Sequence, residues 1–124
     1  MHSFSIKYPL FSKARPRLTK TGHAYMPPVY KNHQRNLREK IRKGWGDKPI
    51  MQDAISLELV LHGESRGDVD NIDGAFMDAA QGIIYVDDNC QYVSRLTVEW
   101  YQARKIDSCW HVTVAPYQTL LDIL

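Results

Sequence analysis

Cysteine is nearly absent from this sequence: Cys90 and Cys109 are the only two, 19 positions apart, with no CxxC pair and no adjacent histidine pair. Neither a zinc site nor a disulfide framework is indicated, and free buried thiols are the plain reading. Long apolar runs are missing too. No stretch approaches the roughly 18 residues of a membrane span, and Met1-His2-Ser3-Phe4-Ser5 has no charged start leading into an apolar stretch. The expectation is a cytoplasmic chain with no membrane partner. His2, His23, His33, His62 and His111 form no HExxH or other metal-spaced pair, no acidic residue has a lysine two positions later, and no serine or cysteine nucleophile elbow occurs. Zinc proteases, PD-(D/E)xK nucleases and covalent hydrolases are thereby set aside. There is no internal repeat. What is present, 124 residues with 44% apolar, 24% charged and 10% aromatic content, suits one ordered domain spanning 1–124.

The small net charge of +2 conceals a division along the chain. Residues 1–48 hold 12 Lys+Arg against only Glu39 and Asp47, whereas residues 49–124 hold 4 Lys+Arg against 12 Asp+Glu. A basic segment interleaved with Tyr and His suits a polyanion such as DNA or RNA, and an acidic segment suits divalent cations. Together they point to metal-dependent chemistry on phosphate. The plain alternative is that the two parts neutralise each other across the folded surface.

Phe4–Tyr8 alternates apolar and polar and stops at Pro9, which predicts a short first strand. From Ser12 to Pro28, proline and glycine punctuation predicts an extended arm or hairpin carrying Lys13, Arg15, Arg17 and Lys20. A helix is predicted from about Val29 to Lys43, closed by Gly44 and Gly46, with Tyr30, Leu37 and Ile41 as its apolar stripe. Lys31, Arg35, Arg38 and Arg42 fall at i, i+4, i+7 and i+11 and form one basic stripe, for which a merely solvated face is the alternative. Gln52–His62 reads as a central strand. A second helix follows, with Asp70 or Asn71 as N-cap and Ile72, Phe76, Ala79 or Ala80 and Ile83 at helical spacing, closed by Gly82. Ile83–Val86 reads as a short apolar return run, and Tyr92–Ala103 and Cys109–Ala115 as strands of a late hairpin. These elements predict an α+β fold, a small single domain whose mixed β-sheet is packed by two or three helices.

Asp68-x-Asp70 puts two carboxylates on the same side of an extended segment, and Asp88 lies 18 residues on, beyond one helix that can bring it back. Two such charges about 4 Å apart repel by about 4 kcal/mol at an effective dielectric of 20, which a hard divalent cation relieves. Oxygen-only ligation favours Mg²⁺, with Mn²⁺ as a substitute. A calcium loop is excluded by register: with Asp68 at position 1, position 5 is Ile72, the glycine falls at 7, and position 12 is Ala79.

Lys13-Ala14-Arg15-Pro16-Arg17, Asp68-Val69-Asp70-Asn71-Ile72, Asp78-Ala79, Gly82-Ile83-Ile84-Tyr85, Asp87-Asp88 and Gln91, in that order and spacing, resemble the RusA family of Holliday-junction resolvases. The resemblance covers about Ser12 to Gln91. It implies a crossover junction endodeoxyribonuclease: a small, homodimeric, Mg²⁺-dependent enzyme of DNA recombination and repair, often phage- or prophage-borne, that hydrolyses phosphodiesters by paired nicks across a four-way junction. It implies catalytic and metal-binding roles for Asp68, Asp70 and Asp88, with Asp87 as a neighbouring metal ligand, and no small-molecule cofactor. The basic arm and stripe, from Lys13 through Arg42, would contact DNA backbone phosphates. The family often has a lysine four residues after the second Asp of the DxDN motif, where this chain has Gly74, so Arg66 and Arg15 are candidates to supply that charge. The second expectation is a catalytically weak or inactive module that keeps the fold and binds branched DNA.

Overall fold

The computed structural model describes residues 1–118. Strand β1 covers His2–Ile6, and a small antiparallel hairpin, β2 (Arg17–Leu18) and β3 (Ala24–Tyr25), occupies the expected arm. Helix α1 covers Pro28–Trp45, β4 Ile55–Gly63, α2 Val69–Ala80, β5 Val93–Gln102 and β6 Cys109–Pro116, with a single 3-10 turn at Lys105–Asp107. The four long strands form one mixed sheet in the order β1-β6-β4-β5. The α+β expectation holds, with two helices on the sheet.

The sheet is two-faced because its strands alternate. Ile55, Leu57, Leu59 and Leu61 of β4 and Trp110, Val112 and Val114 of β6 are buried under the helices. Each such apolar side chain contributes roughly 1.5–3 kcal/mol on burial. The opposite face is polar: Ser3 bonds Thr113 at 3.0 Å, and Ser5 bonds His111 at 2.8 Å, both between β1 and β6. Helix α1 buries Tyr30, Leu37, Ile41 and Trp45, and α2 buries Ile72, Ala75, Phe76, Ala79 and Ala80. Those are the stripes that the helical spacing predicts.

Three expectations are corrected. The late hairpin does not form, because β5 and β6 both pair with β4, the first parallel and the second antiparallel, so β4 lies between them. β4 and β6, which bury the most residues of the four strands, take the two inner positions. The apolar return run Ile83–Val86 is a turn in which Tyr85 makes isolated bridges to Met51 and Gln81, and it is apolar because Ile83, Ile84 and Tyr85 are buried. Helix α1 runs through Gly44 to Trp45; the Phe4 ring lies where a Cβ at 44 would sit, and Gly46, at φ +73°, is the residue that ends the helix. The Asp68–Asp70 segment is helical rather than extended: Asp68 is the N-cap, with no side-chain capping bond, and Asp70 already belongs to the first turn. The apolar tail residues Leu120, Leu121 and Leu124 lie outside the described residues, whereas Tyr117 ties back to the start of β4 through its N–H to the Ala54 carbonyl at 3.0 Å.

Candidate active site

Strand β4 delivers the chain to α2 through a short loop over which the N-terminal arm is laid. Added Cβ atoms on Gly63, Gly67 and Gly74 would meet Leu10 and Ser108 at 2.9 Å, Ser12 at 2.5 Å and Lys13 at 3.3 Å, respectively. A track of glycines therefore receives the arm. It is clipped there by the Lys13 N–H to the Asn71 carbonyl at 2.8 Å, and by the Lys13 ammonium, which pairs with Asp78 at 3.1 Å. Asp78 also accepts from the Tyr30 hydroxyl at 3.2 Å; burial and that carboxylate together push the Tyr30 phenol well above its usual range. The space that a side chain at 74 would use is thus occupied by the Lys13 stem. Lys13, rather than Arg66 or Arg15, is the cation that lies on Gly74.

The acidic residues sit on two elements. Asp68 and Asp70 are exposed at the start of α2, where the helix dipole favours negative charge. Asp87 and Asp88 follow the buried Tyr85. Asp87 has both oxygens engaged within its loop, Oδ1 accepting the Asp88 N–H at 2.7 Å and Oδ2 the Asn89 amide at 3.2 Å. It braces the turn that presents Asp88. Between the two elements lies an acid that sequence reasoning passed over, Asp73, which is only 7% exposed and whose Oδ1 has no hydrogen-bond partner. Burial, then the charges of Asp70 and Asp88, push its carboxyl up to about 6. Asp70 and Asp88 are thus both within electrostatic reach of Asp73. Tyr85 feels burial first, then Asp88, Asp73, Asp78 and Asp87, all raising its phenol, and its hydroxyl is spent on the Met77 carbonyl at 2.8 Å. The signal for Asp73 was in the sequence: it stands three residues before Phe76 and seven before Ala80, on the inward face.

The basic candidates divide into two groups. Arg15, Arg17, Lys20, Lys31, Arg35 and Arg66 are exposed and make no ion pair among the described residues. Arg38 and Arg42 are engaged: Arg38 Nη1 donates to the carbonyls of Ala79 and Gln81 at 2.9 and 2.8 Å, closing the end of α2, and Arg42 pairs with Glu39. The stripe along α1 is therefore continuous in position but broken in availability.

The endodeoxyribonuclease RusA family model matches residues 7–109, from just after β1 to the first residue of β6. The chain belongs to the RusA family. That membership makes it an endodeoxyribonuclease at family level, in a family that acts on branched DNA junctions. No curated protein matches the chain. The RusA match takes in the arm, the glycine track, α2 and the Asp87–Asp88 loop together. No helix among the described residues is long and apolar enough to cross a membrane.

A divalent cation can be weighed against these RusA carboxylates. Their donors are oxygens only, which suits a hard ion, and the partnerless buried Oδ1 of Asp73 is an atom that a cation would satisfy. Among the described residues no three His, Cys, Asp or Glu side chains stand close enough together to hold an ion as the chain rests. The set fits in kind.

Proposed function

We propose that this chain is a Mg²⁺-dependent resolvase of four-way DNA junctions that works as a homodimer, with Mn²⁺ as a substitute metal. The observation that carries the reading is the Tyr85 hydroxyl bond to the Met77 carbonyl at 2.8 Å, which ties the segment leading into the Asp87–Asp88 loop to α2, beside an arm of exposed cations. Asp68, Asp70 and Asp88 would hold the ion. Bound there, a divalent cation polarises a phosphate oxygen and acidifies a water for in-line attack. Asp87 keeps Asp88 in place through the Asp88 N–H. Arg15, Arg17, Lys20, Lys31, Arg35 and Arg66 bind backbone phosphates, which gives affinity without sequence information. Lys13 holds the arm against α2 so that those cations and the acids address one DNA strand. Paired nicks need two sites related by the two-fold symmetry of a junction, and one chain supplies one acidic site. The edge strand β5, with Leu96, Trp100 and Tyr101 exposed, supports the docking of a second copy.

Incubating the protein with a synthetic four-way junction and a matched linear duplex, with Mg²⁺ and with EDTA, tests the reading. Symmetrical cuts in the junction alone, lost in EDTA, are expected; equal cutting of the duplex removes the junction preference. The separation of the carboxylates favours one other reading, a module that binds branched DNA without cutting it. That reading requires junction binding with no cleavage at any Mg²⁺ concentration.

A further inference from the structure

We propose that Asp73 is an additional ligand of the cation held between α2 and the Asp87–Asp88 loop, a carboxylate that lies outside both the DxD pair and the DD pair. The inference rests on the metal-dependent reading above. It starts from an atom with no other explanation: Oδ1 of Asp73 is buried and makes no hydrogen bond. Leaving a buried polar group unsatisfied costs roughly 1–3 kcal/mol, more when it is charged, so such atoms are rare and call for a cause.

Local structure supplies none. Asp73 lies five residues beyond the N-cap Asp68, too deep in α2 to cap it, and aspartate is a poor interior helix former. No ion pair holds it among the described residues, and the neighbouring Tyr85 hydroxyl is already committed to the Met77 carbonyl. The charged groups that reach it are Asp70, one turn earlier on the same face of α2, and Asp88 from the Asp87–Asp88 loop, both of the wrong sign. Asp73 has a vacant buried oxygen and the charges that reach it are acidic, so a cation bridging α2 and the loop would complete it once the acids, which rest too far apart to hold an ion, close on it. Asp73 can thus draw the two elements together, its fixed position in the helix serving as the anchor toward which the exposed Asp70 and the loop-borne Asp88 move.

Calorimetric titration of metal-stripped protein with Mg²⁺ and with Mn²⁺, together with thermal melts with and without each ion, tests this without any reference to cleavage. Asp73→Asn should weaken ion binding by about tenfold or more and shrink the ion-induced rise in Tm, while the metal-free Tm stays level or rises because a buried charge has gone. Asp73→Ala, which also removes a poor helix former, should do the same and serves if the Asn variant does not fold. Asp78→Asn is the charge control, since Asp78 is already held by Lys13 and Tyr30; it should bind the ions as the wild type does. Wild-type ion affinity in Asp73→Asn or Asp73→Ala would overturn the proposal. Wild-type protein that melts cooperatively but takes up neither ion would overturn the metal-dependent reading itself, a different result in a different sample.

Discussion

Helices α1 and α2 lie against the same sheet and share their departures from ideal helix construction, but they differ in what they bury. α1 has 18 residues, an N-cap Pro27 that makes no side-chain capping bond, Gly44 in its last turn, and a buried face of Tyr30, Leu37, Ile41 and Trp45, whose Trp45 Nε1 is a buried donor with no partner. α2 has 12 residues, an N-cap whose side chain makes no capping bond, Gly74 in its interior and an acid, Asp73, on its buried face. Each departure costs stability, a lost cap about 1 kcal/mol, an interior glycine about 1 kcal/mol and a vacant buried polar atom about 1–3 kcal/mol, and both helices bear all three. What α2 has and α1 lacks is a buried ionisable group: α1 carries its cations on its outer side, whereas α2 buries the Asp73 carboxyl.

The sharpest way to break this contrast is at the acids. Asp70→Asn should lower the cleavage rate of a synthetic junction by at least about 10²-fold, the scale of losing one preorganised charge at a reacting phosphate, while gel-shift affinity for the junction holds or improves. A variant that cuts at the wild-type rate would move the site away from α2.

Next in size is the glycine track. Gly67→Val should push Ser12 and the arm off the β4–α2 loop, because even a Cβ there comes within 2.5 Å of the Ser12 hydroxyl. A loss of about 1–3 kcal/mol in urea unfolding is expected, the usual cost of forcing extra volume into packed surroundings. An unchanged midpoint would mean that the arm does not rest there.

The two kinds of arginine on α1 separate by readout. Arg38→Gln should destabilise the fold by about 1–2 kcal/mol, since it removes a charged donor from two terminal carbonyls of α2. Arg35→Gln should leave the melting curve alone and reduce the slope of log K against log salt for DNA binding by about 0.9. If both variants change only the salt slope, the stripe is functional throughout and the brace on α2 is dispensable.

The smallest effect expected is at Gly74. Gly74→Ala gains about 1 kcal/mol in helix propensity but sets a methyl 3.3 Å from the Lys13 stem, so a net stabilisation below 1 kcal/mol is expected from thermal melts. A clear loss instead would show that Lys13 cannot shift and is held more tightly than its ion pair suggests.

Where local rules governed, the elements were legible in the sequence. Tyr30, Leu37 and Ile41 located α1, and alternation located β4, because each pattern reports burial along a single element. Strand pairing was not legible, since nothing in Val93–Gln102 or Cys109–Pro116 states that both will flank β4; that choice belongs to the assembled sheet. Of the candidate site, Asp68, Asp70 and Asp88 could be found by spacing, and Asp87 only through the family resemblance. Asp73 was hidden by its chemistry, since an acid does not register in an apolar period although its position faced inward, and the brace role of Asp87 depends on a turn with no signature beyond an Asp before Asp-Asn. Lys13 and Gly74 were both noticed, but as separate features 61 positions apart, because a close approach between two segments leaves no periodicity in either.

The central place of β4 also sets a timescale. Its amides and carbonyls are bonded on both sides, by β6 and by β5, so their hydrogen exchange should be among the slowest in the molecule and should report global unfolding. Asp68 hangs five residues beyond the end of that strand, whereas Asp88 hangs five residues ahead of β5, which among the described residues has a neighbour on one side only. Exchange along β5 and its preceding loop should therefore proceed through local openings. The two halves of the acidic site are fastened to a slow clock and a fast one, so Asp88 can part from α2 and return to it many times within the lifetime of a single folded molecule.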